Sequence, residues 1–195
     1  KLILRFLLFV FLCNYVAVPG HIFQAMLLRQ LDATSTFITI TLSWAAVWEL
    51  VIFWWGTQIV YRFGVMNLLL LIPIAIAIRY GMIFMKPDPL VIFASNTLHF
   101  ITFGLAYLCG VIFINREVPR ELKASGQAIF AMVFMAVSAL IGNMGTAWLL
   151  NFITKRYGIN DASALTLWYG GGALAMVFAL AAYVPMQREY QRRHG

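Results

Sequence analysis

Six apolar runs, each long enough to cross a bilayer, constrain this chain more than any other feature. They lie at roughly Leu2–Leu28, Ser35–Val60, Met66–Met85, Leu90–Ile114, Ser125–Ile153 and Leu165–Pro185. A hydrocarbon core about 30 Å thick takes about 20 residues of helix to span. No water is available there to satisfy a stray backbone N–H or C=O, so a spanning segment must close its hydrogen bonds within itself. The expected fold class is therefore all-α, a polytopic membrane protein of six transmembrane helices. Only 11% of the residues are charged, against roughly 25% in an ordinary soluble domain.

The breaks between runs read as short loops: "RQLDATS", "YRFG", "KPDP", "NREVPRELK" and "TKRYGINDA". The first and fifth runs exceed the length needed, which predicts tilt or an interruption, with "VPG" at Val18–Gly20 the natural break in the first. Both cysteines, Cys13 and Cys109, fall inside apolar runs and read as buried thiols. The chain begins at Lys1 without a methionine. We expect residues 1–195 to form a single bundle within a longer protein.

An even number of crossings places both ends of the segment on one face. That face carries Lys1, Arg5, Arg62, Arg116, Arg120, Lys123, Arg188, Arg192 and Arg193; the opposite face carries Arg29, Lys86, Lys155 and Arg156. The excess of basic residues predicts that both ends are cytoplasmic. It also accounts for the net charge of +7 without any nucleic-acid partner. A bacterial inner membrane is the expected location.

"IVYRFGV" closes the second run and "ITKRYGI" closes the fifth, 94 positions later. Three crossings separate them, and an odd number reverses direction. The bundle is thus expected to consist of two inverted three-helix repeats, a plan common among secondary transporters.

Among the acidic residues, Asp32, Asp88, Glu117, Glu121 and Asp161 fall in loops and Glu189 in the tail, leaving Glu49 inside a run. Arg79 is the only basic residue well inside one. Each central charge costs roughly 2.5 to 3.5 kcal/mol on insertion scales, and such residues turn toward protein or water. His99, in "SNTLHFITFG", has no charged residue within ten positions on either side. Glu49, Arg79 and His99 lie on three different helices and are expected to share one polar interior. Asn14, His21, Gln24, Asn96, Thr102, Ser138 and Asn143 also sit at membrane depth, where each could bind helix to helix. No phosphate loop, metal-ligand cluster or nucleophile elbow occurs, so neither an enzyme nor a cofactor is expected.

Several of these features together resemble the C-terminal half of a major facilitator superfamily transporter: six helices, inverted halves, a basic loop "TQIVYRFG" after the second and a long loop before the fifth. "TLHFITFG" and "INREVPRELKASGQAIF" resemble the branch containing lactose permease, phenylpropionate permease and the nucleoside:proton symporters. In lactose permease a histidine follows an arginine by twenty residues, as His99 follows Arg79, and "AAVWELVIF" is similar to the stretch holding the carboxylate shared by that branch, at Glu49. Thr102 stands where lactose permease has a glutamate, and Gly104 where the nucleoside symporters have an aspartate. Galactoside specificity is therefore not implied.

The resemblance implies proton-coupled symport of a small organic solute, a sugar, nucleoside or aromatic acid, by alternating access; a non-transporting receptor or sensor on the same fold, or a facilitator or proton-driven exporter, are the alternatives. Glu49, Arg79 and His99 would carry the proton coupling; His21, Gln24, Glu49, His99 and Phe103 would contact solute. The implied partners are the solute, the proton, the lipid bilayer and an N-terminal six-helix half of the same transporter.

Overall fold

A computed structural model describes residues 1–194, the side chain of Phe53 excepted. Six helices are long and apolar enough to cross a membrane: α1 (Leu2–Gln30), α2 (Ser35–Phe63), α3 (Val65–Met85), α4 (Pro89–Glu117), α5 (Arg120–Tyr157) and α6 (Asp161–His194). Among the described residues there is no strand. Their starts follow local chemistry. The Thr34 hydroxyl caps α2 by accepting from the Phe37 amide (3.2 Å), and the Asp88 carboxylate caps α4 from Leu90 (2.9 Å), with Pro89 in the first turn. Both caps satisfy amides that a helix start leaves orphaned.

α2 and α5 end on Gly64 (φ 79°) and Gly158 (φ 65°), the two glycines with positive φ among the described residues. They are the glycines of the paired "RFG" and "RYG" segments, 94 positions apart, so the repeat reaches the backbone. An L side chain is strained at such φ, whereas glycine is not. The packing carries the same relation. α1 rests on α5 and α6, α4 rests on α2 and α3, and α3 lies against α6. Exchanging each helix of the first three with the one three later returns the same set of neighbours. Because that exchange reverses direction, the second trio is inverted relative to the first.

The break expected at Val18–Gly20 does not occur; α1 runs through Pro19 without interruption. Proline removes one amide from the ladder and leaves the carbonyl four residues earlier, that of Tyr15, without its donor. Neighbouring helices hydrogen-bond to the carbonyls on either side of Pro19 and brace the helix there. The Tyr80 hydroxyl donates to the carbonyls of Ala17 (2.9 Å) and Val16 (3.2 Å), and the Tyr169 hydroxyl donates to that of Gly20 (2.6 Å). On another side Gly142 of α5 sits so close that a Cβ there would lie 2.6 Å from the Tyr15 carbonyl oxygen and 2.9 Å from the Pro19 ring. Gly142→Val is therefore expected to cost about 1–3 kcal/mol by overpacking, read as a lowered melting temperature in detergent. Gly171→Ala on α6, whose Cβ would meet nothing within 4 Å, should leave it unchanged.

Two helices depart from regular geometry. α5 widens to a π-helix over Met132–Val137, within a run whose length predicted tilt or interruption. α4, for which no irregularity is expected from sequence, tightens to a 3-10 turn over Asn96–Leu98 and widens to a π-helix over Phe100–Leu105. His99 sits at the junction between the tightened and widened stretches. Below it, Phe6, Phe113, Phe130 and Phe134 form an aromatic core with ring centroids 4.2–5.8 Å apart, joining α1, α4 and α5.

Candidate functional site

Arg79 fixes the geometry of the membrane interior. Its side chain is fully buried on α3 and does not run toward the membrane surface. The guanidinium donates to Nδ1 of His99 (3.0 Å), to Oε1 of Gln24 (3.0 Å) and to Oδ1 of Asn96. Asn96 in turn donates from Nδ2 to the Thr41 carbonyl (3.1 Å), and the Trp44 indole donates to the Thr97 hydroxyl (3.1 Å). One cation thereby ties α1, α2, α3 and α4 together.

The identity of the donors settles the protonation of His99. A guanidinium has donors and no acceptor, so Nδ1 must accept and carries no proton. The ring proton is then on Nε2, which lies 3.1 Å from Oε1 of Glu49. Assigned this way, His99 is a neutral imidazole donating to a carboxylate on one side and accepting from a guanidinium on the other. It connects a buried cation to a half-buried anion that do not touch. Each of these contacts has a charged partner, the class of hydrogen bond about twice as strong as a neutral pair.

Glu49 and His99 line a cavity of about 220 Å³ together with His21, Thr102, Phe103 and Asn14, closed on the α1 side by Ala17, Val18 and Ile22. Apolar surface from Ala17, Val18, Ile22 and Phe103 stands beside polar side chains, a makeup that suits a small-molecule site. Three rings lie nearly parallel along it. His21 stacks on His99 (centroids 4.5 Å, 18°) and His99 on Phe103 (5.7 Å, 5°). The π-helical turn after His99 places Phe103 over the imidazole. Nδ1 of His21 is itself buried and has no hydrogen-bond partner among the described residues, so the charged group the cavity presents is the Glu49 carboxylate.

Of the residues predicted from sequence, the structure brings Glu49, Arg79 and His99 into one hydrogen-bonded chain. His21, Glu49, His99 and Phe103 line the cavity. Gln24, expected to contact solute, does not line it: the side chain is fully buried behind the wall and accepts from Arg79. Its polarity serves the guanidinium, whose charge could not be buried without acceptors. Asn96 is the residue that sequence reasoning undervalued. From sequence it is one of several polar residues able to join helices, whereas in the structure it is the group that holds Arg79 to the backbone of α2. Its distance of three residues before His99, with Arg79 already singled out, is the signal that was available.

The sequence profile of the MFS_1 like family matches residues 1–155. Two curated relatives from Escherichia coli (strain K12) align with the chain. The nucleoside permease NupG is 23% identical over 126 residues, covering 62% of this chain and 30% of the permease. The xanthosine permease is 27% identical over 124 residues, covering 60% of this chain and 29% of the permease. A crystal structure of the nucleoside transporter NupG superposes with a TM-score of 0.79 at 20% identity, covering 95% of this chain and 48% of that one. The six-helix bundle has the fold of half of that transporter, and the aligned stretch spans about a third of the curated relatives.

Proposed function

The chain belongs to the MFS_1 like family, and from that premise we propose that it is the C-terminal half of a proton-coupled symporter for a nucleoside or a similar ring-bearing solute. The cavity that holds Glu49 beside three parallel rings carries this reading. The ring surface that this stack leaves facing the cavity suits the flat face of a base. The carboxylate offers an acceptor to a hydroxyl or amine. The names of the two permease relatives agree with such a solute.

In this mechanism Glu49 carries the coupling proton. With Nδ1 of His99 occupied by Arg79, the imidazole has no free site for a second proton, so a proton entering the chain goes to the carboxylate. Protonation removes the anion and leaves a neutral carboxyl that still accepts from Nε2–H. Solute binding and proton binding meet at one side chain, so each changes the affinity for the other. Solute lies near the midplane between this bundle and an N-terminal six-helix half, and the two rock to alternate access. Both ends of the segment face the cytoplasm, across a bacterial inner membrane.

His99 distinguishes a site residue from a packing residue. In the full-length protein reconstituted in vesicles, uptake of radiolabelled xanthosine or uridine driven by a proton gradient should fall at least about tenfold in both His99→Asn and His99→Phe, a loss of about 1.4 kcal/mol or more in effective coupling. Asn keeps polarity but cannot span from Arg79 to Glu49; Phe keeps the stack but has no hydrogen bond. Full transport by both variants would return His99 to the role of core filler. Absence of any nucleoside uptake by the wild type would remove the solute class.

A further inference from the structure

We infer that Glu49 exchanges its proton with the face carrying the chain ends through a second cavity, separate from the one that takes the solute. This rests on the reading of Glu49 as the proton carrier. The second cavity, about 200 Å³, begins at Glu49 and Phe103 and continues along Ile52 and Thr57 on α2 and Tyr107 and Val111 on α4. Glu49 and Thr57 are eight positions apart, and Phe103, Tyr107 and Val111 follow at steps of four. These spacings keep each set on one helix face, over about 12 Å of rise for α2. The cavity ends six residues short of the α2 terminus at Phe63 and of the α4 terminus at Glu117. Among the described residues that line it none belongs to α1, whereas the solute cavity takes one wall from α1.

Phe103 is the partition. It stacks on His99 and packs on Phe134 of α5 (5.5 Å), so contacts on two helices hold it between the compartments. Among the described residues only Glu49 and Phe103 border both cavities, and of these two only Glu49 can carry a proton. Thr57 and Tyr107 supply hydroxyl-bearing side chains along the second, and a space of this size has room for several waters. Release is then a simple exchange. The O–H bond of the Glu49 carboxyl breaks and a new O–H bond forms on an adjacent water. The resulting hydronium leaves along the cavity, and the carboxylate stays to accept from Nε2–H of His99.

Two measurements on the full-length protein test this. Val111→Phe fills the second cavity two helical turns beyond Phe103 and touches no residue of the solute cavity. It is expected to reduce proton-driven xanthosine uptake about tenfold while xanthosine exchange at equal pH stays within about twofold. Thr57→Cys is expected to react with a small charged thiol reagent added from the face carrying the chain ends, at the same rate with and without saturating xanthosine. Ile22→Cys in the solute cavity should be protected by xanthosine. Cys13 and Cys109 are buried and contribute little background. Equal loss of uptake and exchange in Val111→Phe, no loss of either, or protection of Thr57→Cys by xanthosine overturns the inference; should Val111→Phe fail to fold, the labelling decides. Uphill accumulation by Glu49→Gln removes the proton carrier and this route with it. Loss of accumulation in Glu49→Gln alongside wild-type behaviour of Val111→Phe removes the second cavity alone.

Discussion

Glu49→Gln in the full-length transporter is expected to abolish accumulation against a gradient while leaving solute exchange intact. The amide is nearly isosteric, keeps an acceptor for Nε2–H of His99, and cannot gain or lose a proton near neutral pH. With one proton per solute, a gradient of about one pH unit sustains about tenfold accumulation, since a factor of ten corresponds to about 1.4 kcal/mol. The variant should equilibrate at a ratio of about one under the same gradient. Its exchange rate, measured with equal pH on both sides, should remain near wild type, because solute contacts from His21, His99 and Phe103 persist. Retained accumulation would place the coupling group elsewhere in the protein.

The second large effect is structural. Arg79→Leu deprives Gln24, Asn96 and His99 of their shared donor in the bundle interior and leaves the Glu49 carboxylate without its relayed cation. Removing one partner from a buried charged network costs about 3–5 kcal/mol, which should appear as a sharply lowered melting temperature in detergent and loss of transport. Arg79→Lys restores the charge but not the planar fork that reaches three acceptors, so it should recover stability only in part. An Arg79→Leu protein with wild-type melting and transport would contradict the account of how the site is held.

Much of this architecture was legible because the bilayer imposes it. Thickness sets run length, so all six crossings could be counted; the cost of a central charge singled out Glu49, Arg79 and His99 before any neighbour was known. What sequence could not give was pairing. Gln24 and His21, three positions apart on α1, look alike as polar residues in an apolar run, yet one lies behind the wall under Arg79 and the other lines the cavity. The distinction depends on which way α3 presents its guanidinium.

Pro19 misled for a related reason. A proline predicts a broken ladder, but whether the helix breaks depends on what packs around it. Here Tyr80 and Tyr169, sixty and more residues away in sequence, bond to the carbonyls of Val16, Ala17 and Gly20 on either side of it. The irregular turns around His99 left no mark either. Asn96–Leu98 holds neither proline nor glycine, and the glycine of the next turn, Gly104, sits in an apolar run like any packing residue. Asn96 bonded to both Arg79 and the Thr41 carbonyl fixes the tightened turn in place, and that is a contact between three helices.

The central claim is that the carboxyl of Glu49 changes protonation when solute binds, with His99 neutral beside it. Infrared difference spectroscopy of the full-length protein in lipid, with and without xanthosine, reads that carboxyl directly through its C=O stretch. The account predicts a solute-induced change in a protonated-carboxyl band that disappears in Glu49→Gln and persists, shifted, when His99→Asn alters the hydrogen bond to it. A band that survives unchanged in Glu49→Gln would assign the proton to another carboxyl and contradict the account.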